Sequence, residues 1–276
     1  MTKIAKPVVV GVDGSDAALN AVMWAIDEAT SRGVPLRSVH ATYIEDDSAS
    51  GDEDFSLDVQ SALESLRTAT DAVRATNKPV AIETQILWGS PAPALLDESH
   101  EASLICVGSV GIGPIAREFL GSTAATLAEK ASCPVAIIRS PHHKHEAGAN
   151  WIVVAVEDRA DSESVIAYAM EEAALRNAAV LAVGVEQNEY RKASYDALDR
   201  RVAKLKQRYP SSQIFPVVTG DDITGYLADN SDEVVQQNLF RRGVLLSLLV
   251  CTPAHLCQRA ESIPEHTGLP VRRWGV

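Results

Sequence analysis

Cysteine is scarce in this chain: none of its four cysteines forms a Cys-x-x-Cys pair. That excludes a disulfide scaffold, a thiolate zinc ribbon and a thioredoxin-type redox site. Cys106 and Cys251 stand in or at the end of apolar stretches and Cys133 precedes a proline, so buried thiols are expected. Long apolar runs are missing as well. The longest, Val244-Leu-Leu-Ser-Leu-Leu-Val250, falls far short of the roughly 20 residues that cross a bilayer and suits a buried strand, so no membrane span is expected. Positive charge is short: 25 Lys plus Arg against 37 Asp plus Glu leave a net charge of -12. Residues 1–140 hold 10 of those cations and 19 of those anions, so the first half is the more acidic. A surface of that sign repels phosphate backbones, and no nucleic-acid partner is expected. Met1-Thr-Lys-Ile-Ala-Lys-Pro-Val8 runs straight into a strand-like segment, which leaves no room for a signal peptide; a cytoplasmic location is expected.

Several familiar phosphate motifs are also absent. No G-x-x-x-x-G-K-[ST] occurs, and from Gly108 to Thr123 the sole cation is Arg117. The first strand gives Val8-Val-Val-Gly-Val-Asp13-Gly-Ser15, neither the G-x-G-x-x-G of a dinucleotide fold nor the Ser-Gly-Gly-x-Asp-Ser of adenylating pyrophosphatases. What is present is Gly108-Ser-Val-Gly-Ile-Gly-Pro-Ile-Ala-Arg-Glu-Phe-Leu-Gly-Ser122, that is G-x2-G-x9-G-S. The run Leu104–Val107 before it reads as a buried parallel strand, and Ser122–Lys130 after it as a helix. Glycines at a strand's carboxyl end let backbone N–H groups approach an anion, and the helix start behind them adds a partial positive charge. Phosphate can be held this way without lysine.

The glycine spacing, the Val-Gly-Val-Asp-Gly-Ser of the first strand and Cys133-Pro-Val-Ala-Ile-Ile-Arg139 together resemble the universal stress protein family, over the whole N-terminal half and in the right order. The resemblance implies an ATP site with phosphates at Gly108, Gly111, Gly121, Ser122 and Thr123, ribose or metal at Asp13, and adenine at Ala41. Gly11 belongs to the first-strand part of the site, and Gly113 is an accessory loop residue outside the spacing. Asp13 has a rival role as helix N-cap, but Ser15 or Asp16 is better placed to cap, leaving Asp13 free to face a ligand. Because the half that holds the site is acidic, ATP should need oriented amides and Mg2+ or Mn2+ to offset its charge.

Laid on itself with a shift of 144 residues, the chain aligns Val8–Asp13 with Ile152–Glu157, Trp24–Ala29 with Tyr168–Ala173 and Leu36–Ala41 with Val180–Val185. Further on, Leu87-Trp-Gly89 answers Val218-Thr-Gly220 and Ile105–Val107 answers Leu248–Val250. The pattern is a tandem repeat. It predicts an α/β fold of two tandem doubly wound parallel-sheet domains, residues 1–141 and 151–276 with 142–150 as linker; the resemblance implies that they are Rossmann-like, of the adenine nucleotide alpha hydrolase-like kind, the first the ATP-binding unit and the second degenerate. The acidic stretch Glu45–Asp54 reads as a loop; Leu57–Thr76 and Tyr195–Arg208 read as helices with core-facing stripes. His142, His143 and His145 fall in the linker and read as solvated. The second unit lacks the glycines and the Gly-Ser after Val250, and Glu157 replaces Asp13, so one nucleotide per chain is expected. The two units are expected to form an intrachain pseudo-dimer. The family resemblance implies contact through last strands, Pro134–Arg139 against Pro270–Trp274, with Trp151 and Trp274 packed between the halves. A homodimer of chains is left open.

The resemblance further implies a nucleotide-dependent regulator of stress survival with unknown protein partners. No catalytic residue is assigned. Arg117 and Glu118 are the only charged residues of the loop, and in-line phosphoryl transfer needs a positioned base, so hydrolysis would be slow at most. A slow ATP hydrolase, a binder of AMP or cyclic AMP, and a scaffold without nucleotide stand as the alternatives. His40, at the end of the second strand, reads as a core or rim histidine.

Overall fold

The structure is a computed structural model that describes residues 5–42, 52–109, 121–138, 151–156, 162–185 and 191–220, with the backbone of 240–241 and 244–245. The first half alternates strand and helix: β1 (Val8–Gly11), α1 (Asp16–Arg32), β2 (Leu36–Thr42), α2 (Asp52–Ala75), β3 (Ile82–Trp88), α3 (Pro91–Glu98), β4 (Leu104–Gly108), α4 (Ser122–Lys130) and β5 (Val135–Ile138). All of its strands pair in parallel, in the order β3-β2-β1-β4-β5.

The two faces of this sheet are legible in the period-2 alternation of its strands. Val8, Val10, Leu36, Leu104 and Cys106 point to the side where α1 and α2 lie. Val9, Val39, Ile105 and Val107 point to the side of α3 and α4. With both faces covered, β1 and β4 are apolar throughout, as a doubly covered parallel strand must be. The chain reverses its direction of winding between β1 and β4, the place where an open α/β sheet leaves a crevice at its carboxyl edge.

Helix limits follow local signals. Ser15 caps α1, its Oγ accepting from Ala18 N–H at 3.1 Å, and Gly33 ends it with its N–H donating to the Thr30 carbonyl. α2 begins at Asp52, so the last residues of the acidic stretch are helical and not loop; carboxylates in a first turn are favoured by the helix dipole.

In the second half, β6 (Trp151–Ala155), β7 (Ala179–Val185) and β8 (Ile214–Thr219) form a parallel sheet in the order β6-β7-β8, with α5 (Ser162–Arg176) and α6 (Arg191–Arg208) between them. The register repeats that of the first half: Val8 pairs with Leu36, and Ile152 with Val180. The third strand corrects the sequence alignment by one residue. Ala41 pairs with Leu87, while its counterpart Val185 pairs with Thr219, so Leu87 answers Thr219 and not Val218. This placement sets Ile214 and Val218 on the face where Ile82 and Ile86 pack; a slip of one residue would turn them to the other face.

Val244-Leu245 forms β10, antiparallel to β9 (Phe240–Arg241), where a parallel strand over Val244–Val250 was expected; residues 246–250 lie outside the described residues. β10 rests against β5 and α4. The expected contact of Pro134–Arg139 with Pro270–Trp274 and the roles of Glu157, Trp274 and the linker histidines also lie outside them, as does the side chain of Trp151. One continuous apolar core nevertheless runs from the α1/α2 side of the first sheet into α5, α6 and β6–β8. No helix among the described residues is long and apolar enough to cross a membrane.

Candidate functional site

At the carboxyl edge of the first sheet, where β1 and β4 part, a cavity of about 310 Å³ opens, within the size range of small-molecule sites. Gly11, Asp13, Ala41, Gly108, Gly121, Ser122 and Thr123 line it. The fold thus gathers into one crevice residues that the sequence separates by more than a hundred positions. Gly111, Gly113, Arg117 and Glu118 lie outside the described residues.

The glycines differ in what they do. Gly108 ends β4 directly beneath the first turn of α1: a Cβ there would come within 2.8 Å of the Ala17 carbonyl carbon and Cβ. Its smallness therefore serves helix–strand packing. Gly11 is confined in a milder way, a Cβ meeting Leu95 Cδ1 and Val107 Cγ1 at 3.2 Å. Gly121 spends its N–H on the Ser109 carbonyl at 2.8 Å, while Ser109 N–H donates to Ile138. That pair of bonds ties the start of α4 to the ends of β4 and β5 and removes the Gly121 amide from any ligand.

The remaining amides of α4 are differently placed. Its N-cap is Gly121, which has no side chain to cap with; the first intrahelical bond is donated by Ala125 to Gly121. The N–H groups of Ser122, Thr123 and Ala124 have no acceptor within the helix, and all three residues line the cavity. α1 also starts at the cavity, but its first turn is closed by Ser15 Oγ. Of these two helix starts, α4 is the one that presents uncapped amides to a guest.

Asp13 is not the N-cap of α1, and it is not wholly free either. Its Oδ1 accepts from the Ser15 N–H at 3.0 Å and from Ser15 Oγ at 2.6 Å, fixing the hydroxyl that caps the helix. Gly14 between them, at φ +84, is the turn residue that this arrangement needs. Asp13 is the sole charged residue among the described lining residues. The opposite end of the cavity is apolar, built by Val39 and Ala41 of β2, Leu95 of α3 and Val107 of β4.

These apolar residues, with Val12, Ser15 and Pro91, were not singled out from the sequence as lining residues, Ala41 excepted. Val39 was detectable, since it shares a strand face with Ala41. Leu95 and Pro91 carry no local signal; crossover packing of α3 brings them there.

His40 sits on the other face of β2 from Ala41 and does not line the cavity. Burial lowers its pKa below the usual 6.5, against the opposing pull of Asp13, the Val12 backbone and Asp58. The thiols are buried as expected: burial raises the pKa of Cys133 to about 11 and puts that of Cys106 well above the ordinary thiol value. Cys251 lies outside the described residues.

The universal stress protein family model matches residues 5–139. Universal stress protein Rv2624c of Mycobacterium tuberculosis is 45% identical over 229 residues, covering 83% of this chain and 83% of that one. Universal stress protein Rv3134c of the same species is 38% identical over 235 residues, with 82% of this chain and 85% of that one covered. A solved universal stress protein structure from Archaeoglobus fulgidus shares the fold at a TM-score of 0.61, over 82% of this chain and 81% of that one at 16% identity. The parallel α/β architecture, the residues at the crevice and these relatives agree: the chain belongs to the universal stress protein family.

Proposed function

We propose that the cavity of the first half binds ATP, with the phosphates on the first turn of α4 and the adenine against the apolar floor at Ala41 and Val39. The observation that carries this reading is the pairing of opposite chemistries at the two ends of one crevice. Uncapped amides and a helix dipole at Ser122 and Thr123 suit a polyanion, and β2 offers apolar surface for a flat base. Gly108 and Gly121 support the loop by packing and by tethering. In this reading Gly111 and Gly113 complete the phosphate cradle and Gly11 lets α3 close over the site.

A divalent ion, magnesium or manganese, accompanies the nucleotide. Among the described residues no cluster of three or more His, Cys, Asp or Glu side chains forms a metal cage. One carboxylate, Asp13, faces the cavity. That donor set suits an ion that takes one protein carboxylate and fills its shell with phosphate oxygens and water.

The chain then acts as a cytoplasmic, nucleotide-responsive stress protein built of two tandem units, 1–141 and 151–276, with one ATP per chain in the first. Binding is the function in this reading, with ATP hydrolysis slow at most: Asp13, the sole charged residue among the described lining residues, is occupied at Oδ1 by Ser15 and makes a poor base for in-line attack. ATP binding would change the surface offered to a protein partner.

Native mass spectrometry of the purified chain, then titration calorimetry with ATP, AMP and cyclic AMP in the presence of magnesium, tests this. One ATP per chain, lost in Gly121→Val, supports it. Tighter binding of AMP or cyclic AMP moves the ligand class, and no adenine nucleotide at millimolar concentration overturns the site and leaves a scaffold.

A further inference from the structure

The charged cluster between α1 and α5 points beyond the nucleotide site. Trp24, Glu28 and Arg32 lie four residues apart along α1 and so form one stripe. Tyr168, Glu172 and Arg176 repeat the stripe on α5, each 144 residues later. The two stripes meet across the molecule. Arg176 Nη2 donates to Glu28 Oε1 at 2.6 Å, and its guanidinium lies 4.4 Å from the centroid of the Trp24 ring. In return, Arg32 Nη2 donates to Glu172 Oε1 at 3.4 Å, and its guanidinium lies 4.7 Å from the Tyr168 ring. Each arginine also holds the glutamate of its own helix, at 2.7 Å in α1 and 3.0 Å in α5. Every cross-contact has a mirror image with the two helices exchanged, the mark of an isologous interface. Here one chain makes it with itself.

Both carboxylates are fully buried, at 0% and 1% exposure. Taking charges out of water costs about as much as their pairing returns, so such a cluster is a weak source of net stability and a better source of register. Ala21, Ala25 and Ala29 of α1 and Ala169 and Ala173 of α5 are buried in the same apolar core, which by itself specifies no register. Apolar burial is non-directional; four buried Glu–Arg bonds and two arginine–ring contacts are not.

We propose that the aromatic–Glu–Arg stripe is the pairing code of the duplicated units: it selects α5 as the partner of α1 and fixes the register in which the two halves dock. The partner this surface fits is a second copy of the same stripe, supplied within the chain, and the surface is thereby withdrawn from contacts between chains. The proposal is independent of nucleotide binding.

Hydrogen exchange on the full chain tests it. The isosteric double variant Glu28→Gln, Glu172→Gln keeps the packing and removes both carboxyl groups, so that no negative charge can face the two arginines. Amides of α1 and α5 should then exchange at least about 10-fold faster together, while β4 amides stay protected. Reversing one stripe, Glu28→Arg with Arg32→Glu, should loosen both helices likewise, because the guanidinium introduced on α1 would face that of Arg176. Adding Glu172→Arg with Arg176→Glu restores opposite charges and should recover protection. Wild-type protection of both helices in the double Gln variant would overturn the proposal. So would loosening of one helix alone, or a four-residue reversal as loose as the two-residue one.

Discussion

Ser122→Asp separates the helix-terminus account of anion binding from every reading in which α4 is merely a packed helix. Ser122 is the exposed first residue of α4, lines the cavity and follows an N-cap with no side chain. An aspartate there supplies the negative charge that the first turn lacks, stabilising the helix by about 0.3–1 kcal/mol. It also brings a carboxylate to the place proposed for phosphate. At roughly 5 Å and an effective dielectric of about 20, repulsion between the two unit charges is about 3 kcal/mol, which is more than about 100-fold in Kd. The assay is calorimetric titration with ATP and magnesium at fixed salt, beside thermal unfolding of the same preparation. The expected result is lost binding with a melting temperature equal to or above that of the wild type. Wild-type affinity in the variant would refute the placement of phosphate at α4; lost binding with a lowered melting temperature would refute the claim that the first turn is uncapped.

Other perturbations follow from the same contacts. Gly108→Ala drives a methyl against the Ala17 backbone, and overpacking of that kind costs about 1–3 kcal/mol; chemical denaturation should show it, and an unchanged midpoint would mean that α1 yields freely. The carboxyl of Glu28 is pushed up to about 9, first by burial and then by the facing Glu172, with Arg176 and Arg32 opposing, and Tyr168 and Cys106 also bordering the cluster. A raised folded-state value means that stability is complete below about pH 4.5 and is lost as pH climbs towards 9. Glu28→Gln, which stands for the protonated carboxyl at every pH, should flatten this slope, matching the wild type near pH 4.5 and exceeding it at pH 7, whereas the double Gln variant leaves two arginines without a counter-charge and should cost about 3–5 kcal/mol. His40 has the opposite sign. Its folded-state value lies below 6.5 because of burial, so its contribution is present above pH 6.5 and lost as pH falls; His40→Gln should lose less stability than the wild type between pH 7 and 5.

Much of the site was legible because its signals are local. The boundary of α4 at Ser122 followed from Gly-Ser before an amphipathic run, and the cap of α1 was narrowed to Ser15 or Asp16 within Asp-Gly-Ser-Asp, of which the fold uses Ser15. The reasons were less legible than the positions. Gly108 belongs to a phosphate spacing, yet the atoms that demand a glycine there are those of Ala17, 91 residues earlier. Asp13 was expected to be free for a ligand, and the fold has it hold the capping hydroxyl. The one-residue shift of β8 escaped because Val218 and Thr219 both suit a strand; only pairing with β7 chooses between them.

The family, the alternation of strands and helices and the glycines at the sheet edge could all be read from the chain unaided, because each is written in spacing along it. Which amides are already spent, which apolar residues floor the cavity and which helices dock came only with packing in three dimensions. Nothing in the spacing signals that Glu28 and Glu172 would be buried against each other's arginines, since a helix with Glu and Arg four residues apart reads as a solvated face until a second such helix covers it. That covering is a long-range event, set by the packing of two sheets and not by any local propensity.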